Sequence, residues 1–252
     1  MLNGVIGAVK KVVSKKRRKV TAVIVAGGKS ERMRGIDKIF AVIGNQPLIA
    51  ETISVFQNTP EIDEIILVLG ADSLERGRSL VEMHGFTKVK AVIEGGAERT
   101  QSSYNGVSAA DSGADYILIH DGARPLVTED IIKSVIESAV KNCTATAAIP
   151  VTSTVKRCSG GFVSETVERD GLYEIQTPQA FRADILKAAL KNAVDKGLSI
   201  TDDCMAVEAI GLKPAIVSGS RDNIKVTVRE DIPIARAILE SRETENENRT
   251  RI

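Results

Sequence analysis

Short runs of β-branched and aliphatic residues recur along most of this chain, at 20–25, 65–69, 89–93, 116–119, 144–151 and 215–217. Between them lie segments whose apolar residues fall at helical spacing, at 47–58, 72–84, 101–112, 129–142, 182–196, 203–210 and 230–241. A strand of four to eight apolar residues must be buried on both faces, and helices between such strands supply the two covering layers. The pattern predicts an α/β fold, a doubly wound and mostly parallel sheet. No repeat or low-complexity linker interrupts it, so residues 20–241 are read as one domain.

One stretch breaks the alternation. Residues 150–176 carry two strand-like runs around Ser159-Gly160-Gly161, the signature of a hairpin. A hairpin has no place inside a parallel sheet, so it is expected to project as an arm and to pack on a second copy of the chain.

Charge divides the chain unevenly. Its 34 Lys+Arg against 33 Asp+Glu give a net +1, yet residues 1–19 hold seven basic residues and no acid. The remainder carries 27 basic against 33 acidic residues, a balance of −6. Residues 1–19 are therefore read as a basic, solvated extension. Lys10 and Lys11 break their apolar stretch, so they do not read as a signal peptide. Residues 242–252 read as a charged, frayed tail. Aromatics make up 3 % and Trp is absent, which leaves no stacking platform for nucleic acid. No apolar run reaches the length of a membrane span. Three widely spaced cysteines suit a reducing cytoplasm better than a disulfide framework or a zinc site.

In an open α/β sheet, ligands gather beyond the carboxyl ends of the strands. The first such loop is Ala26-Gly27-Gly28-Lys29-Ser30-Glu31-Arg32-Met33, followed by Lys38. It lacks the earlier glycine of a P-loop and the spacing of a dinucleotide fingerprint. It remains either a plain turn or a cradle of backbone N–H groups for an anion, with Arg32 and Lys38 supplying charge. After the third run, Gly95-Gly96-Ala97-Glu98-Arg99-Thr100-Gln101-Ser102 is either a helix start or the edge of a ligand site. After the fourth, His120-Asp121-Gly122-Ala123-Arg124-Pro125 ends a buried strand on a carboxylate, which is either a turn residue or a Mg²⁺ ligand. His120 reads as structural, since its side chain points away from its neighbour's along the strand. Asp222 and Lys225 sit in a late loop that is by default a surface turn. Together these loops form one constellation of cations (Arg32, Lys38, Lys225), metal ligands (Asp121, with Asp222 as a second) and glycine amides. It suits transfer of a phosphate-centred group, and an anionic phosphate nucleophile would need no general base.

These motifs, A-G-G-x-x-x-R-M, D-K, G-G-x-x-R-x-x-S, H-D-G-A-R-P, T-x-K, E-R-x-G-L, T-P-Q, T-D-D and D-N-I-K-V-T in that order, resemble the 2-C-methyl-D-erythritol 4-phosphate cytidylyltransferase family over about residues 20–241. The resemblance implies a Rossmann-like nucleotidyltransferase fold, CTP as co-substrate, Mg²⁺, a sugar-alcohol phosphate acceptor and a homodimer that exchanges the hairpin arm. It implies that Arg32 and Lys38 bind the CTP phosphates, and that Ala26, Gly27, Gly28, Gly96, Ala97 and Ser102 hold the nucleotide. Asp121 and Gly122 would meet the ribose and Mg²⁺, and Lys225 the substrate phosphates. Thr154 and Arg169 would hold the methylerythritol phosphate, Arg169 in the partner's site, with Thr177 and Thr201 also on the substrate side. Two departures stand out: Asp37 occupies a position where Pro is usual, in a loop one residue short, and Ser153 replaces an Asp before Thr154. The rival readings are a ribitol 5-phosphate cytidylyltransferase and a catalytically silent nucleotide-binding scaffold.

Overall fold

The computed structural model describes residues 17–28 and 38–250, with side chains as far as Thr244. In chain order, β1 (Val20–Ala26) leads to the short pair β2 (Val42–Ile43) and β3 (Gln46–Pro47), then α1 (Leu48–Asn58), β4 (Glu64–Leu69), α2 (Leu74–Met83), β5 (Val89–Glu94), α3 (Arg99–Ala109) and β6 (Tyr116–Asp121). There follow α4 (Glu129–Asn142), β7 (Thr144–Pro150), β8 (Val155–Ser159), β9 (Phe162–Val167), β10 (Tyr173–Arg182), α5 (Ala183–Asp195), α6 (Asp203–Glu208), β11 (Ala215–Ser218) and α7 (Asp231–Thr250). Seven strands form the central sheet in the order β11-β7-β10-β6-β1-β4-β5. All the pairings are parallel except those of β10, which runs antiparallel to both β6 and β7.

The sheet is covered on both faces, as the apolar runs require. Ala22, Ile24 and Ala26 of β1 join one cluster with Ile53 and Phe56 of α1 and Ile132 and Val135 of α4. Val23, on the opposite side of the same strand, joins a second with Val107 of α3 and Leu186 and Leu190 of α5. Helix boundaries follow local chemistry. Thr128 Oγ1 accepts the Ile131 N–H to cap α4, and Cys143, at φ 68, ends it. Among the described residues no helix is long and apolar enough to cross a membrane.

Strand β10 departs from the sequence expectation, which placed 150–176 in a projecting hairpin. The hairpin shrinks to β8 and β9, paired only with each other and turning at Gly160 (φ 58) and Gly161 (φ 84). The sheet instead takes in Tyr173–Arg182. Periodicity missed this strand because its buried residues include Gln176, Thr177 and Gln179, which are 5 %, 3 % and 0 % exposed. Pro178, with no N–H to give, lies inside a register shift between Ile175 and Gln179.

The chain ends also differ from expectation. Arg17 pairs with Asp63 at 2.9 Å and Lys19 with Asp111 at 2.7 Å, so the last residues of the basic segment are tied to the body. Residues 1–16 lie outside the described residues. The charged tail continues α7 to Thr250, anchored by Arg242 Nη1 on the Leu126 carbonyl at 2.9 Å.

The strand order reverses at β1, whose sequence neighbour β4 lies on one side and β6 on the other. Val25 stands opposite Asp121 in the register, and the Gly122 N–H donates to the Val25 carbonyl at 2.8 Å. A ligand crevice belongs beyond these two strand ends.

Candidate active site

Asp121 ends β6 with its side chain 11 % exposed, ringed by three cations from separate parts of the chain. Lys225 Nζ lies 2.9 Å from Oδ2, Arg124 Nε 3.5 Å from the same oxygen, and Arg99 Nη2 3.6 Å from Oδ1. Arg99 opens α3, Arg124 follows β6, and Lys225 belongs to the segment after β11. Arg99 also holds Asp203, fully buried at the start of α6, at 2.7 Å. Two guanidinium nitrogens, Arg99 Nη1 and Arg124 Nε, are buried without a hydrogen-bond partner among the described residues. Arg124 Nε keeps its long contact with Asp121, so Arg99 Nη1 is the donor of the ring left unpaired among the described residues.

The electrostatics follow from burial and from who faces whom. Burial would raise the Asp121 carboxyl, but Lys225, Arg99 and Arg124 hold it well below the usual carboxylate range. Burial would lower Arg99, but Asp203 and Asp121 outweigh it and hold it above the ordinary value. Arg124, with Asp121 as its carboxylate and Arg99 repelling it, is lowered by its burial.

His120 is fully buried, and burial pushes its imidazole down to about 4. Its Nε2 lies 3.0 Å from the Arg124 carbonyl, so Nε2 carries the proton. Nδ1, 3.1 Å from Thr177 Oγ1, then accepts from that hydroxyl, whose oxygen accepts the Asp121 N–H at 3.0 Å. The imidazole thus supports the site from beneath, as the alternation along the strand implied.

Around this centre, Ser102 Oγ accepts the Gly96 N–H at 3.0 Å and folds the loop 95–98 onto α3. A Cβ on Gly96 would stand 2.2 Å from Gln101 Cγ. Gly122 is also tight, since a Cβ there would stand 2.7 Å from Ala26 Cβ. Gly27 is half-buried and Gly28 exposed beyond the end of β1, while Ala97 is exposed at the mouth of the neighbouring loop. Lys38 opens a 3-10 turn, Lys38–Phe40, and is half-buried. Its charge is felt at Asp231 of α7, which burial would raise but which the Thr227 and Val228 N–H groups, the Thr227 hydroxyl and Lys38 hold low. Arg32 lies outside the described residues, as does Asp37.

Other expected residues lie apart from the ring. Asp222 faces Arg242 of α7 at 3.4 Å. Thr201 Oγ1 lies 3.0 Å from Met205 Sδ, ahead of α6. Thr154 is exposed at the root of the hairpin, where the exposed Arg169 donates to the Thr152 carbonyl. Among the described residues no three His, Cys, Asp or Glu side chains cluster as a metal cage. Mg²⁺ is commonly held by one carboxylate together with substrate phosphates and water, and Asp121 is a carboxylate of that chemistry at the end of β6.

Arg99, Arg124 and Asp203 stand in the motifs G-G-x-x-R-x-x-S, H-D-G-A-R-P and T-D-D, but the sequence reading gave none of them a site role. Their signal was an arginine just past a glycine-bearing strand end and an acid opening a helix, but each reads equally well as a surface residue until the strand order is known.

The family model for 2-C-methyl-D-erythritol 4-phosphate cytidylyltransferase matches residues 20–241. The chain belongs to this family. The cytidylyltransferase of Alkaliphilus oremlandii is 43 % identical over 89 % of this chain and 96 % of its own length. That of Dehalococcoides mccartyi is 44 % identical over 88 % and 96 %. Among solved structures, the 4-diphosphocytidyl-2C-methyl-D-erythritol synthase of Anaerococcus prevotii superposes with a TM-score of 0.78 at 30 % identity, covering 88 % of this chain and 96 % of that one. This cytidylyltransferase is a nucleotidyltransferase of isoprenoid precursor synthesis, moving the cytidylyl group of CTP onto 2-C-methyl-D-erythritol 4-phosphate with release of pyrophosphate.

Proposed function

We propose that cytidylyl transfer takes place at the carboxyl ends of β1 and β6, within the ring of cations around Asp121. The observation that carries this reading is the convergence of Arg99, Arg124 and Lys225 on one buried carboxylate beside a glycine-rich strand end. Arg32 and Lys38 take the CTP triphosphate, while the backbone at Ala26, Gly27, Gly28, Gly96 and Ala97, together with Ser102, holds the nucleotide. An oxygen of the methylerythritol phosphate attacks the α-phosphorus, the bond to the β-phosphate oxygen breaks, and pyrophosphate leaves. Lys225 aligns the attacking phosphate and offsets its charge against that of the triphosphate. The nucleophile is already an anion, so no side chain has to remove a proton. His120, enclosed and engaged at both nitrogens, fits that economy. Catalysis is then positioning and charge neutralisation. Asp121, with Gly122 giving it room, would hold Mg²⁺, which when bound neutralises phosphate charge; Asp222, the second expected ligand, is paired with Arg242.

The acceptor side is completed by a second copy. Phe162 and Val163 of the hairpin are 80 % and 61 % exposed, and Ile216 on the edge strand β11 is 51 % exposed. Such a surface fits a homodimer in which Thr154 and Arg169 of one arm serve the other subunit's site, beside Thr177 and Thr201. Three cysteines without a disulfide suit the cytoplasm.

Pyrophosphate release from CTP, with 2-C-methyl-D-erythritol 4-phosphate and separately with ribitol 5-phosphate, tests the acceptor assignment, and turnover of ribitol phosphate alone would sink it. Lys38→Ala should abolish release while the circular dichroism spectrum is kept. Sedimentation should give a dimer for the native chain and a monomer for Phe162→Asp.

A further inference from the structure

The register shift in β10 aims two adjacent side chains off the ladder. Thr177 goes to Asp121, as described above. Gln176 goes to the loop that carries Lys225. Its Nε2 donates to the Ser220 carbonyl at 2.8 Å, and its Oε1 accepts the Ser220 N–H at 3.3 Å and Asn223 Nδ2 at 3.2 Å. Gly219 makes room for this approach, since a Cβ there would stand 2.3 Å from Gln176 Oε1.

Asn223 is fully buried. Its second amide hydrogen goes to the Thr177 carbonyl at 2.9 Å, and its own backbone carbonyl accepts from Arg124 Nη1 at 2.7 Å. One residue beyond Lys225, the Val226 N–H donates to the Ala123 carbonyl at 2.8 Å. The backbone is thus fixed on both sides of Lys225, whereas the lysine side chain itself is 39 % exposed. A lysine ammonium on a flexible four-carbon stem is placed by the backbone that carries it.

We propose that Gln176 and Asn223 are positioning residues for cytidylyl transfer, their side-chain amides setting the loop that places the Lys225 ammonium beside Asp121. This rests on the role given to Lys225 above. It assigns the buried polar residues of β10 a task that sheet formation alone does not require.

The test compares kcat and KM for both substrates in Asn223→Asp, Gln176→Met and Lys225→Ala, alone and with each of the first two placed on Lys225→Ala. Asn223→Asp keeps the shape but sets acceptors against the Thr177 carbonyl and Gln176 Oε1. Gln176→Met keeps the length without the hydrogen bonds, and serves if the aspartate variant does not fold. Each folded single variant should lose about tenfold to a hundredfold in kcat, the scale expected of a misplaced group. Neither should lose more on the Lys225→Ala background. A kcat within twofold of the native enzyme in a folded variant overturns the proposal, and so do losses that add in full to that of Lys225→Ala, because a merely structural role would add. Normal turnover by Lys225→Ala would instead remove the role of Lys225, and this inference with it.

Discussion

Arg99 and Arg157 each hold a carboxylate at hydrogen-bonding distance, Asp203 at 2.7 Å and Glu165 at 2.6 Å, yet the two pairs belong to different kinds of structure. Around Arg99 the side chains are 22 % and 0 % exposed; on the hairpin they are 69 % and 57 % exposed. Water screens the second pair and can replace either partner. Asp203, at 0 % exposure, has no water to replace a missing partner, so its charge depends on Arg99. The crevice is a partly buried set of mutually dependent charges, whereas the arm is a solvated ribbon with exposed apolar side chains.

The sharpest way to break that contrast is Arg99→Leu, which strands Asp203. Removing one partner of a buried pair costs about 3–5 kcal/mol, and urea unfolding at neutral pH should show a loss of that order. A loss near that of a surface pair would mean the crevice is wetter than its burial indicates.

His120 extends the comparison to pH. The unfolded imidazole titrates near its ordinary value of 6.5 and the folded one at about 4, so the unfolded chain takes up the proton first as pH falls. Stability should therefore be full above the unfolded value and decline down to the folded one, by roughly 3 kcal/mol at ~1.4 kcal/mol per pH unit of separation. Unfolding midpoints at several pH values in chelator should show this slope in the native chain and a flatter one in His120→Gln.

Asp121→Asn keeps the shape while removing the charge on which three cations converge. Pyrophosphate release should fall about a hundredfold or more, the scale of losing one preorganised electrostatic contact. Gly122→Ala asks how closely the strand ends meet. Its Cβ would stand 2.7 Å from Ala26 Cβ and 2.9 Å from Ile49 Cδ1, and overpacking of this kind costs roughly 1–3 kcal/mol. A thermal midpoint equal to the native one would show that β1 and β6 can part without penalty. The smallest effect belongs to the arm: Arg157→Ala should change stability by less than about 1 kcal/mol. A larger loss would erase the contrast between the two regions.

Much of this molecule was legible from one-dimensional pattern. The runs at 65–69 and 116–119 are wholly apolar because β4 and β6 are covered on both faces, and a buried run ending in Asp121 marked a carboxylate that needed partners. β10 was illegible for the converse reason. Gln176, Thr177 and Gln179 are polar and yet buried, and what makes their burial tolerable is hydrogen bonding to residues 44, 57 and 24 positions away. No local period records such bonds.

The amino-acid order alone therefore determined the layered α/β architecture and the strand ends where a phosphate chemistry could sit, because period and burial are properties of single elements. The tertiary structure alone decided which charges meet. Arg99, Arg124 and Lys225 become neighbours only because the segments that follow β5 and β11, strands at opposite edges of the sheet, return to Asp121 at the end of β6. Local pattern can say that a side chain is buried, but the partner that makes its charge tolerable is chosen by the path of the chain.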